Sequence, residues 1–175
     1  MIEDDWALGV IDSQTAGREA WRRTLQACGV SDHQLVEFAR QTFATLEYGR
    51  LELYEDVPPL ISALGEREVP LALVTNGASE TQRGKLAALG IEDWFEVIVV
   101  SSELGIMKPD PAIFDVVLAG IEVDRRRVWH VGDWVPTDVA GARSAGLTAV
   151  WLNRSGRTLP PEASRPHMAV GSLVD

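Results

Sequence analysis

Asp133 and Asp138 stand five apart in HVGDWVPTD, directly after the apolar run VWHV. Carboxylates at a strand end are hard oxygen ligands. They suit Mg²⁺, which takes one or two carboxylates and completes its shell with water and substrate oxygens. Taken singly, Asp138 more often reads as an acidic charge at a helix N-terminus. Lys108 lies in GIMKPDP, where Pro109 and Pro111 restrict the loop. A lysine so held is a candidate charge for a phosphate or a crowded carboxylate group; by itself it reads first as a solvated charge. Thr75, Asn76 and Gly77 place a hydroxyl, an amide and a permissive backbone just before a helical stretch. Such groups bind phosphate oxygens, and their plainer reading is a helix cap and turn. His130 sits between apolar neighbours and reads as a core histidine.

These side chains converge only if the chain puts them on one edge. After about residue 56 the pattern alternates. VPLALVT, EVIVVSS, RVWHVGD and TAVWLN are apolar runs of strand length. Between them lie stretches of helical character: Ser79 to Leu89 closed by Gly90, PAIFDVVLAG, and TDVAGARSAG. Strands alternating with helices predict a parallel sheet covered on both faces. Right-handed crossovers then bring every strand's C-terminal end to one rim, where ligands bind in open α/β sheets. Thr75 to Gly77, Ser101 and Ser102, and Gly132 with Asp133 should therefore gather there, with Lys108 in reach. Pro58 and Pro59 open a further helix that ends at Gly65. Before residue 56 the pattern is helical. A segment from about Thr15 to Ala27 is followed by a helix with the stripe Leu35, Phe38, Ala39, Phe43 and Leu46, spaced as one apolar face. Ser31, with Gln34 three on, reads as its capping box. The tail to Asp175 is expected to wrap the surface.

Composition bounds the rest. The chain has 175 residues, 46% hydrophobic and 24% charged. One packed globular domain is expected from such a chain. A net charge of −10 argues against a nucleic-acid partner, which wants a basic face. The single cysteine, Cys28 in LQACGV, excludes an intrachain disulfide and reads as a core thiol. The apolar runs fall far short of the ~20 residues of a membrane span. MIEDDWALG is acidic, where a signal peptide is basic. A cytoplasmic protein with no membrane partner is the expectation.

In this order, VTNG, KPDPAIF and VGDWVPTDVAGARSAG resemble the second, third and fourth motifs of the haloacid dehalogenase-like (HAD) hydrolase superfamily. The resemblance covers roughly residues 55 to 155. It implies a HAD-like, Rossmannoid α/β parallel sheet with flanking helices (57–175), preceded by part of a helical cap (1–56). It implies that Thr75 hydrogen-bonds a phosphoryl oxygen with Asn76 beside it. Lys108 would stabilise the nucleophilic carboxylate and the moving phosphoryl group. Asp133 would ligate Mg²⁺, and Asp138 would hold the lysine or a metal-bound water. The implied activity is Mg²⁺-dependent hydrolysis of a small phosphorylated metabolite. A haloacid dehalogenase, which needs no metal, and a non-catalytic relative are the alternatives.

The family's first motif, hhhDxDxT, has no match here. The nearest stretch is GVIDSQT, with Asp12, then Gln14 where a second Asp belongs, and Thr15 one position early. Either the chain begins inside the cap, or Ala7 to Ile11 is a degenerate first strand with Asp12 as displaced nucleophile; the first reading is preferred. In the family that first strand is central. Its absence would leave two backbone ladders unpaired, at about 1–3 kcal/mol per buried group. The gap is therefore expected to be filled by ALGVI, by rearrangement of the sheet, or by another chain. An incomplete sheet also favours a homo-oligomer.

Overall fold

The four expected strands form, each brief: β1 (Ala72–Thr75), β2 (Val97–Val100), β3 (Trp129–Gly132) and β4 (Thr148–Leu152). They belong to a computed structural model that describes residues 2–174. Around them run α4 (Val57–Gly65), α5 (Ser79–Leu89), a single turn α6 (Ser101–Leu104), α7 (Ala112–Ile121) and α8 (Ala140–Ser144). α5 stops where Gly90 adopts φ 65°, a left-handed cap that costs glycine little. Every ladder is parallel, so β1 and β2 end together and so do β3, β4 and β5; Lys108 ties the two sets of ends, bonding Asn76 after β1 and Asp138 after β3. The core lies between sheet and helices, where Ile113, Phe114 and Val117 of α7 meet Val99, Val139, Ala142 and Trp151.

Two features differ from expectation. The tail adds a fifth strand, β5 (Met168–Val170), parallel to β4. Its three residues carry too little pattern to read as a strand in sequence. More consequentially, the sheet is split: β1 pairs with β2, and β3, β4 and β5 form a separate ladder. ALGVI does not fill the gap. Ala7 ends α1 (Ile2–Ala7), and Leu8 and Val10 turn back to donate to the carbonyls of Asp4 and Asp5. The sheet has not closed up either, since among the described residues no ladder joins β1 to β3. β1 was expected to be buried on both faces, yet all four of its residues are only partly buried, with Ala72 and Val74 packed against the core. Trp129 and Val131 of β3 are 60% and 43% exposed.

The helical front half consists of α1, α2 (Ser13–Ala27) and α3 (His33–Tyr48). α2 and α3 pack together through an edge-to-face Trp21–Phe43 pair at 5.9 Å. The cap of α3 is Asp32 rather than Ser31. Its carboxylate accepts the N–H groups of Gln34 and Leu35 at 2.8 and 3.2 Å, and a charged acceptor at an N-terminus also gains from the macrodipole. Cys28 is exposed, not a core thiol, because α2 ends there and turns away at the surface. The stripe on α3 is only partly covered, with Phe38 66% exposed.

Candidate active site

The polar strand ends do gather. Thr75 closes β1, and the turn after it is fixed by two exchanges. The Asn76 amide donates to the Lys108 carbonyl, and the Lys108 N–H donates back to the Asn76 side-chain oxygen, both at 2.9 Å. Asn76 thus fastens the Lys108 loop to the end of β1. Gly77 donates its N–H to Ser101 Oγ at 2.9 Å. At φ 144°, it leaves space that a Cβ would deny: such an atom would lie 2.6 Å from the Trp6 ring. α1 therefore lies over this turn, and Ser101 Oγ also bonds the Ala7 carbonyl.

Lys108 is 9% exposed. Its ammonium donates to Asp138 Oδ1 at 2.7 Å and to the Val74 carbonyl of β1 at 3.1 Å. Asp138 reaches it because a single π-helical turn, Val135–Val139, folds the chain back after β3. Its second oxygen accepts the Trp134 N–H at 2.9 Å. Both oxygens are thus engaged, which makes Asp138 the holder of the lysine. Gly132 is needed for steric reasons, since a Cβ there would lie 2.5 Å from Asp138 Cβ. The glycine and the second aspartate of GDWVPTD are therefore one packing unit. Burial opposes ionisation of Asp138. The His130 ring at 3.6 Å, the Lys108 ammonium and the Trp134 N–H outweigh it and hold the carboxyl well below the ordinary carboxylate range.

Asp133 is exposed at the end of β3, and its carbonyl accepts the Trp151 indole N–H at 3.2 Å. An exposed carboxylate at the rim fits Mg²⁺, which keeps several waters and needs few protein ligands. Among the described residues, no three His, Cys, Asp or Glu side chains converge on one point. His130 packs edge-to-face on Phe114 at 4.9 Å, and its Nε2 is buried without a hydrogen bond. Gln82 was not anticipated. From the first turn of α5 its Oε1 accepts the Thr75 hydroxyl at 3.1 Å. Its position was discoverable, because a helical side chain leans over the turn N-terminal to it. Asp12 lies elsewhere. It is the exposed N-cap of α2, accepting the Thr15 N–H at 2.6 Å, and stands on no strand. That geometry corrects the reading of GVIDSQT as a degenerate first strand.

Comparison with known proteins bears on the family. A model of the haloacid dehalogenase-like hydrolase family matches residues 4–146. A phosphoserine phosphatase of Thermus thermophilus is 37% identical over 153 residues, covering 87% of this chain and 60% of its own length. The chain thus spans less than two thirds of that relative. The magnesium-bound structure of YfnB from Bacillus subtilis superposes with a TM-score of 0.76 at 26% identity, covering 94% of this chain and 71% of that one. A 2-haloacid dehalogenase from Pseudomonas syringae pv. Tomato superposes with a TM-score of 0.66 at 28% identity, covering 90% and 66%. The family match and these likenesses lead to one conclusion: the chain belongs to the haloacid dehalogenase-like hydrolases.

Proposed function

We propose that this rim belongs to a Mg²⁺-dependent phosphatase of a small phosphorylated metabolite in the cytoplasm, and that this chain by itself hydrolyses such esters poorly or not at all. The observation that carries the reading is the buried Lys108 ammonium, held by Asp138, on a loop whose backbone Asn76 fastens to the end of β1 next to Thr75. A preorganised cation and hydroxyl are what a phosphoryl group in transfer requires, because the catalysis is mostly positioning and charge stabilisation. Asp133 is the residue that would hold Mg²⁺, which supplies charge neutralisation on phosphate oxygens. Thr75 would orient a phosphoryl oxygen by giving it the hydroxyl proton that Gln82 Oε1 accepts in this structure. The low hydrolysis follows from the nucleophile. Asp12 is a helix cap, and the carboxylate bonded to Lys108 is the lysine's own support.

Tryptophan fluorescence tests this reading, with Trp6 and Trp134 beside the site. Inorganic phosphate should quench it only with MgCl₂ present, and Lys108→Met should weaken the effect. A phosphate response indifferent to both would sink the proposal. A p-nitrophenyl phosphatase rate that depends on Mg²⁺ and disappears in Asp12→Asn would restore Asp12 as nucleophile. The likeness to a 2-haloacid dehalogenase supports a second reading; it expects a 2-chloropropionate response without magnesium.

A further inference from the structure

We infer that the end of β3 and β4 carries a second anion site, formed by Arg157 and the Trp134 ring, which selects phosphate monoesters whose alcohol portion bears a carboxylate. The inference rests on the phosphatase reading and names the class of substrate that its site takes.

Placement makes the first part of the case. Trp134 directly follows Asp133, the residue that would hold Mg²⁺. Its N–H is fixed on Asp138 Oδ2 at 2.9 Å, yet 53% of the residue is exposed. β3 and β4 run parallel with Gly132 beside Trp151, and the Trp151 indole N–H reaches the Asp133 carbonyl at 3.2 Å. The loop that leaves β4, Asn153 to Arg157, therefore starts at the same end of the ladder as Asp133. It brings the Arg157 guanidinium back to 5.5 Å from the centre of the Trp134 ring.

The loop is held along its length. Asn153 Oδ1 accepts the Arg157 N–H, and Asn153 Nδ2 donates to the Arg157 carbonyl, both at 2.9 Å. The Asn153 N–H donates to the Val170 carbonyl of β5 at 2.8 Å. Gly156 closes the turn at φ 63°, a left-handed conformation that costs glycine little. Arg154 forks onto Asp56 at 2.7 and 2.9 Å and stacks on Tyr54 at 4.1 Å, which ties the loop to the chain ahead of α4. A side chain carried on so constrained a backbone loses less freedom when it binds.

Charge selects the ligand. Arg154 is committed to Asp56. Among the described residues Arg157 has no carboxylate partner, and its Nε donates to Ser155 Oγ at 3.0 Å. A guanidinium presents its donors in a planar fork that matches a carboxylate. The indole face beside it favours the cation and shields one side of the contact from water. A net charge of −10 works against anions in general, so a gain from an added carboxylate has to come from a local cation. Lys108 is engaged by Asp138, which leaves the second anion to Arg157.

The probes are 3-(phosphonooxy)propanoate and propyl phosphate, which share a carbon chain and differ in the terminal carboxylate. Titration calorimetry on the whole chain with MgCl₂ should show the first binding about tenfold more tightly, the effect of one charged hydrogen bond. Arg157→Gln should bring the two ligands to the same affinity. Arg157→Lys should keep only part of the preference, because the charge survives without the fork. Equal affinities in the parent protein, or a preference undiminished in Arg157→Gln, would overturn the inference. Binding of propyl phosphate with no gain from the carboxylate removes the second site and leaves the phosphatase reading standing. Failure of both esters to bind with magnesium present removes the two together.

Discussion

Lys108 and Asp138 lend themselves to a double-mutant cycle: Lys108→Met, Asp138→Asn and the pair together. The two charged atoms lie 2.7 Å apart. At that separation the gross attraction is about 6 kcal/mol for an effective dielectric near 20. The two side chains are only 11% and 7% exposed, and their desolvation offsets much of the attraction. Removing one partner strands the other charge, at a cost of about 3–5 kcal/mol. Removing both strands none, so the double variant should lose less than the sum of the singles by at least about 2 kcal/mol. Urea unfolding followed by tryptophan fluorescence measures all four corners. The pH dependence supplies a sign. In the parent protein the folded pKa of Asp138 is depressed. Its stabilisation is therefore present above the ordinary carboxyl value, near 4, and disappears as pH falls below it. In Lys108→Met burial is less opposed, the folded pKa rises, and the stabilisation at neutral pH shrinks. Additivity within about 0.5 kcal/mol, or an unchanged acid limb in Lys108→Met, would refute this account of the pair.

Gly132→Ala should behave like loss of Asp138, because the added methyl would lie 2.5 Å from the Asp138 carboxyl carbon; a urea midpoint equal to that of the parent would show that the strand end can yield. The Phe114 ring is 2% exposed and holds His130 edge-on. Phe114→Ala should cost about 3–5 kcal/mol, read by calorimetry. Asp56 accepts both guanidinium nitrogens of Arg154 and the Leu173 N–H. Asp56→Asn should therefore speed amide exchange across residues 168–174 more than in β4, and uniform exchange would count against a local latch. Gln82→Leu frees the Thr75 hydroxyl proton for a phosphoryl oxygen and should strengthen the magnesium-dependent phosphate response with little change in melting temperature.

The wide legibility of the core has a simple cause. VTNG, GIMKPDP and HVGDWVPTD each end or follow an apolar run, and a parallel sheet sends every run's end to the same side. Thr75, Lys108 and Asp133 could thus be placed at one rim without knowing any distance, whereas the place of Asp138 beside the lysine came from the family resemblance. The front half was less legible. Asp32 displaced Ser31 as a cap because two adjacent candidates look alike until the backbone N–H groups choose one. Cys28 lost its expected burial because an apolar neighbourhood in sequence says nothing about which side of a helix end meets solvent.

Local pattern determined the strands, the rim and the residue types of the site, because alternation and end signals lie within a few residues of each other. Pairing across the gap between β1 and β3 depended on groups from different parts of the chain and was decided by tertiary contacts. ALGVI has the composition of a strand, but Ala7 belongs to a helix whose last carbonyl holds Ser101. The role of Asp138 likewise came from its two partners, Lys108 and the Trp134 N–H, once a π-helical turn had aimed it. A carboxylate's chemistry depends on what its oxygens touch, and that is a property of the folded chain.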